Sequence, residues 1–432
     1  MRNEMVHQLR LVWGTTLALT AAVVSMPAQA AKAPETNVSA SAAFRQTVAQ
    51  ISDSLKKGDV TTAGSALNSL SPSTPFEKYI AASLAMELAV KRNDVVAQRS
   101  AVSKLIESGG VPEGQLGHLN HVAGYLSYQT GAIDNAVVYL NRARELGVTD
   151  PHAALMLVES YVRQRKMNDA AQILDAVIDQ QIKAGQAVPA SWYDRAISIA
   201  YARKDWAAVA RYGANKLADG KGSAPEWRSA LATYMEGAKP DKEAQLDLYR
   251  LQAATGGLAS ERDYQGYATL AAGQGYAAEA KAVLDTGLSD GKLMKNDSVA
   301  TPLLKTLTPR AVTYLASIKG LPGKAGSAAN ATKAAQDGDK LLANSQYAEA
   351  VPYYRAALEK GATDKDRVST RLGIALARSG DFQEARKALA QVSGTGGWGQ
   401  VATYWSAWVN GRALTAQAGG AAKPQQTASL SQ

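Results

Sequence analysis

The sequence predicts an all-α fold built as a row of antiparallel helix hairpins. Three observations carry this reading. The composition suits helices, with 46% hydrophobic and 20% charged residues, abundant Ala and only three Phe among 432 residues. An Ala then recurs as Ala63, Ala97, Ala136, Ala170, Ala210, Ala244, Ala280, Ala350 and Ala385, at spacings of 34, 39, 34, 40, 34, 36, 70 and 35. Such a period is the signature of stacked repeats, with the 70 spanning two periods. Finally, a turn-tolerant or polar residue stands five positions before each Ala: Gly58, Arg92, Gly131, Arg165, Asp205, Lys239, Gly275, Ser345 and Gly380.

From the N-terminus, Arg2 and Arg10 form a basic start, "LVWGTTLALTAAVVSM" (11–26) is apolar, and "AQA" (28–30) supplies small residues. This is the pattern of a signal peptide over 1–30 cleaved after Ala30, and the run is short and interrupted for a membrane span. Export to the periplasm or beyond is expected, with no transmembrane segment after cleavage. Residues 31–43 are read as a flexible mature N-terminus.

Residues 44–290 are read as one array of hairpins. Each unit has two apolar-periodic segments of about 12 residues around a short break, which suits two antiparallel helices. A Gly at the break can take positive φ and end the first helix. Seven residues earlier the side chain is small in Ala85, Gly124, Ser198, Ala232, Ala268, Gly338 and Gly373. It is expected to face the Ala of the second helix, with Leu67, Leu140, Leu174, Leu248, Leu284, Tyr354 or Leu389 filling the groove alongside. A single hairpin cannot bury its apolar face alone, so the units must stack.

Residues 291–330, with three prolines and a Gly/Ala-rich end, read as a degenerate unit followed by a flexible joint. A second block over 331–412 holds two units and a helix whose Trp398, Trp405 and Trp408 share a face suited to capping the array. Residues 413–432 read as a disordered tail.

The segments "AAQDGDKLLANSQYAEAVPYYRAALEKGA" (334–362), "STRLGIALARSGDFQEARKALAQV" (369–392) and "HVAGYLSYQTGAIDNAVVYLNRARELG" (121–147) carry a wider resemblance. The pattern resembles the tetratricopeptide repeat (TPR) family, whose motif is a 34-residue helix–turn–helix. The resemblance implies a right-handed solenoid of about nine to ten helix pairs, with first helices lining a concave groove. It also implies a non-catalytic scaffold for protein or peptide partners.

The net charge of +9 is uneven: residues 31–300 balance 29 basic against 29 acidic side chains, whereas 301–432 hold 16 basic and 8 acidic. In an exported chain this excess fits an acidic partner, an anionic glycan or a lipid headgroup before nucleic acid, or a solvated basic face. Arg367 and Arg371 stand four apart on the first helix of the last unit, with Arg378 and Lys365 nearby. The resemblance implies a carboxylate-binding place there, although Thr332 and Gln336 of the preceding unit supply only part of such a clamp. An anionic group bound by charge-assisted hydrogen bonds is the expected ligand.

Other chemistry finds little support. Without Cys there is no thiolate site, and no G-x-S-x-G elbow or complete phosphate loop occurs. His118, His121 and His152 are a weak metal candidate, the first two by spacing and the third by its place one repeat along. No cofactor and no enzymatic activity are expected. The reading is a periplasmic scaffold for protein contacts in the cell envelope. Its alternatives are an adaptor for polysaccharide export or cell-wall synthesis, and a regulatory subunit of an envelope enzyme.

Overall fold

The computed structural model describes residues 40–394 and 396–418. The expected signal peptide, most of the expected flexible N-terminus and residues 419–432 of the expected tail lie outside them. Among the described residues there are 20 α-helices and no strand. The chain divides into two compact units, the first ending at Leu119 and the second beginning at Asn120.

The first unit holds α1 (Ala42–Lys57), α2 (Val60–Asn68), α3 (Pro75–Lys91) and α4 (Val95–Glu107), followed by a 3-10 turn. Ile51, Leu55, Ala63, Ala66, Leu84 and Leu88 form its core. Glu77, in the first turn of α3, accepts hydrogen bonds from the backbone of Ser73 at 2.8 Å and of Ser41 at 3.1 Å, the second reaching the start of α1. These donors, led by the Ser73 amide and hydroxyl, hold its carboxyl down at about 2.

The second unit begins in the first turn of α5 (Leu116–Gln129) and continues with α6 (Ile133–Glu145), α7 (Pro151–Arg163) and α8 (Met167–Lys183). Next come α9 (Ala190–Ala202), α10 (Trp206–Leu217), α11 (Ala224–Ala238), α12 (Lys242–Ala254), α13 (Glu261–Gly273) and α14 (Ala277–Ser289). A lone helix, α15 (Ala300–Ile318), precedes α16 (Ala331–Ala343), α17 (Tyr347–Glu359), α18 (Lys365–Arg378), α19 (Phe382–Ala390) and α20 (Gly396–Ala418). The described residues thus contain nine hairpins, with α15 and α20 outside them.

One backbone device makes every hairpin. The residue at the break takes positive φ as Gly58, Asn93, Gly131, Arg165, Lys204, Lys239, Gly275, Ser345 and Gly380. The five that are not glycine are all of the positive-φ non-glycine residues among the described residues. The left-handed conformation costs an L-residue roughly 1–2 kcal/mol, so packing of the two helices must impose it. In four units an Asp follows at once and caps the next helix: Asp59, Asp94, Asp205 and Asp381 each accept from a backbone amide three residues on. The second and fifth hairpins therefore turn at Asn93 and Lys204, one residue from the expected Arg92 and Asp205.

The closing Ala is fully buried in eight of nine units, Ala97 being half-buried. The small residue of the first helix meets the large side chain four residues beyond that Ala. A Cβ on Gly124 would lie 2.6 Å from Leu140 Cγ, one on Gly338 3.0 Å from Tyr354, and one on Gly373 2.5 Å from Leu389 Cγ. Gly373→Ala is therefore expected to lose about 1–2 kcal/mol of unfolding free energy, overpacking outweighing the usual helical gain from Ala. Gly273→Ala, where nothing lies within 4 Å, should be neutral or stabilising in the same urea titration. Equal behaviour of the two variants would refute the packing argument.

The stretch expected to be a degenerate unit and flexible joint is structured. It holds the 19-residue helix α15, with Pro309 inside, and a short segment that packs rather than hangs free. Ala325 and Ala328 are buried in the main core. The carbonyls of Leu321 and Ala328 accept from Tyr353 and Lys360 at 2.8 and 2.9 Å. The expected tail also begins too early, since α20 continues to Ala418.

Nor does α20 cap only the end of the array. It packs on α18 and α19 but also back on α10 and α12. Trp405 is fully buried, and its indole N–H donates to the Asp247 carbonyl of α12 at 3.1 Å. Gly411 permits the crossing beside α10, because a Cβ there would sit 2.7 Å from Gly220 Cα. A continuous core from Ala136 to Val409 results.

Candidate functional site

Arg371 does not line an open groove. It is fully buried, with its Nε donating to Asp247 Oδ2 at 2.9 Å and its Nη1 2.9 Å from Asp339 Oδ2. The Trp398 ring lies 5.5 Å from its guanidinium carbon. Asp247 also accepts from Arg250 Nη1 at 2.5 Å, and Arg250 binds Glu279 through two hydrogen bonds of 2.7 Å. Arg367, largely buried, donates to Asp339 at 2.7 Å and to Asp364 at 2.9 Å, with Glu243 3.5 Å away. The hydroxyls of Tyr354 and Tyr267 donate to Asp339 and Glu279, each at 2.9 Å.

Three arginines thus meet three buried carboxylates drawn from α12, α14, α16 and α18. The charges balance, which is the condition for keeping ions inside a core. Burial pushes the Asp339 carboxyl up, but the charges of Arg371 and Arg367 outweigh it and hold it below its ordinary value. Burial likewise pulls the Arg371 guanidinium down, and Asp247 with Asp339 raises it well above its ordinary range. Burial and the Asp339 charge drive the Tyr354 phenol well up, so it remains a hydrogen-bond donor.

The expected anion site around Arg367, Arg371 and Arg378 is corrected accordingly. The chain's own carboxylates take the guanidinium groups of the first two, and Arg378 lies over the Tyr347 ring at 5.0 Å. Thr332 and Gln336 are exposed. The residues that sequence reading missed had a signal. Ala244, Asp247, Leu248 and Leu251 share one helical face at i, i+3, i+4 and i+7, as do Ala335, Gly338, Asp339 and Leu342. An acid on a core stripe requires a buried cation.

Of the histidines, His121 Nε2 lies 3.7 Å from Asp150 Oδ2, and His152 is exposed. Among the described residues, no group of three or more His, Cys, Asp or Glu is placed to hold a metal ion, so the candidate of His118, His121 and His152 gains no geometry. None of the described helices is long and apolar enough to cross a membrane.

An open concavity lies elsewhere among the described residues, between α12 and α13. A cavity of about 570 Å³ is lined by Lys242, Gln245, Tyr249, Gln265 and Leu270, with Val299 at one edge. Tyr249 stacks on Tyr267 at 5.7 Å, which makes one firm aromatic wall. Gly266 keeps the floor low, since a Cβ there would come 2.7 Å from the Tyr249 hydroxyl. Lys242 and Arg262 give the rim positive charge, Arg262 standing 3.8 Å from Glu236. Such a cleft suits an extended segment with apolar and acidic side chains.

Residues 341–396 match the tetratricopeptide repeat family model. No curated protein matches the chain. Among solved structures, the chain is similar to one of Naa15/Naa10 bound to HypK-THB, at 12% identity and a TM-score of 0.21, covering 83% of this chain and 70% of that one. It is similar to the pentatricopeptide repeat protein PPR10 from maize, at 13% identity and a TM-score of 0.29, covering 87% and 59%. It is also similar to the APC/C hetero-tetramer Cut9-Hcn1, at 12% identity and a TM-score of 0.22, covering 83% and 66%. The chain spans less than two thirds of the length of the last two, and scores this low carry no argument about path or partner. The matched residues agree with the architecture around them, where nine hairpins among the described residues repeat one left-handed break and one closing Ala. The match to the tetratricopeptide repeat family covers residues 341–396, and helix hairpins of the same construction recur through the rest of the described residues.

Proposed function

We propose that this protein is an exported, non-catalytic scaffold of the cell envelope, and that the cleft between α12 and α13 seats a segment of a protein partner. The coarser part, a scaffold for protein contacts, follows from the repeat family. The cleft carries the finer part. It is the described concavity in which an aromatic wall, an apolar side chain and two cations face solvent together. Export is supported by the basic, apolar and small-residue pattern of residues 1–30.

The test is in-cell photo-crosslinking from Gln245 at native expression, followed by intact-mass analysis of the product. The expected result is a chain beginning at Ala31, joined to a protein whose capture is lost on Leu270→Glu. An uncleaved chain would remove export from the reading. A chain that stays uncrosslinked would remove the partner. Calorimetry against an anionic glycan tests the adaptor alternative. The buried pairing of Arg367 and Arg371 argues against that alternative, since it leaves less of the basic excess free.

A further inference from the structure

Between α14 and α16 the array has one helix where other units have two. Ala280 and Ala350 are 70 residues apart, room for a full unit, yet only α15 fills it. Ala300, Leu307, Ala311 and Ile318 form its buried face. One exposed flank beside it carries Lys305, Val312 and Lys319 at i, i+7 and i+14, one stripe on a helix, with Leu315 between this stripe and the buried face. Val312 is 67% exposed and Leu315 44%, and both are large apolar side chains.

The charge around this stripe is one-sided. No acidic residue lies between Asp297 and Asp337, whereas Lys305, Arg310, Lys319, Lys324 and Lys333 do. Lys319 and Lys324 follow α15 and Lys333 pairs with Asp337, while among the described residues the other four belong to no ion pair, in contrast to the balanced arginines of the core. An apolar centre flanked by two lysines about 21 Å apart matches the length and seam of a short helix. The carboxylates that this stretch lacks would come from the partner.

We propose that the outer face of α15 docks an acidic amphipathic helix from a protein partner, completing the unit that has only one helix of its own. This rests on the protein-scaffold reading but concerns a surface separate from the α12–α13 cleft. The docked helix lays its apolar seam on Val312 and Leu315 and its carboxylates against Lys305 and Lys319.

The experiment is calorimetry of the full chain with a synthetic helix of about 20 residues, Leu on one face and Glu on the other. Micromolar binding is expected, against none for a shuffled peptide of the same composition. Val312→Asp and Lys305→Glu/Lys319→Glu should each weaken it at least about tenfold, with thermal unfolding unchanged because these side chains are exposed. The Lys305→Glu/Lys319→Glu variant should instead bind a peptide with Lys in place of Glu. Binding no tighter than the shuffled peptide, or indifferent to these substitutions, overturns the proposal. So does attachment to phosphatidylglycerol vesicles without peptide binding, which would make the face a lipid contact. Crosslinking from Gln245 that survives the α15 substitutions leaves the scaffold reading standing in either case.

Discussion

Arg371→Met is expected to destabilise the second unit by about 3 kcal/mol, the lower end of what removing one partner of a buried ion pair costs. The lower end applies because each stranded carboxylate keeps another cation. Asp247 retains Arg250, and Asp339 retains Arg367. Chemical denaturation followed by circular dichroism measures the loss. Adding Asp339→Asn should recover part of it by removing the uncompensated charge, whereas Asp339→Asn alone should destabilise. A loss below about 1 kcal/mol, the value of an exposed pair, would show that the cluster is hydrated and open.

Acid sharpens the same prediction. The Asp339 carboxyl is held below its ordinary value of 3.8 in the folded chain. Its contribution is therefore present above that value and is lost as pH falls through the depressed folded one. Without Arg371 the folded value rises toward normal. The acid-induced loss of stability from this group then shrinks and is complete at higher pH, its onset still set by the unfolded carboxyl. An unchanged pH profile in Arg371→Met would exclude the pairing.

Trp405→Ala should cost about 3–5 kcal/mol, because a fully buried indole leaves a cavity and its hydrogen bond to the Asp247 carbonyl is lost. Its position makes the effect specific. Trp405 sits where α20 crosses α12, and its ring meets that of Trp408 edge-on at 5.5 Å. The variant should release α20 and make its first turns, around Gly397 and Trp398, more sensitive to limited proteolysis. Trp408, only half-buried, should cost clearly less when truncated. Equal protection of both variants would mean that α20 is held mainly by its other contacts, such as the Gly411–Gly220 crossing.

The repeats were legible in the sequence because each rests on residues close along the chain. Gly380 and Ala385 are five apart, and Gly373 and Leu389 belong to one hairpin. Their backbone and packing demands recur with every unit, so period alone exposes them. Asp247 and Asp339 on apolar stripes were also visible, although their partners were not.

The role of Arg371 belonged to the tertiary structure. Its partner Asp247 lies 124 positions away, and the two meet where α20 also packs on both α18 and α12. Spacing on α18 describes an exposed pair of cations equally well, since helical periodicity places a side chain on a face without saying what covers that face. The same holds for residues 291–330, where prolines and glycines suggested a hinge and packing of Ala325 and Ala328 made a wall. By itself the sequence determined the all-α hairpin, its break and its period, all set by short-range sterics. Only the tertiary structure decided which cations are buried and which, like Lys305 and Lys319, stay exposed, because that choice depends on contacts between distant segments.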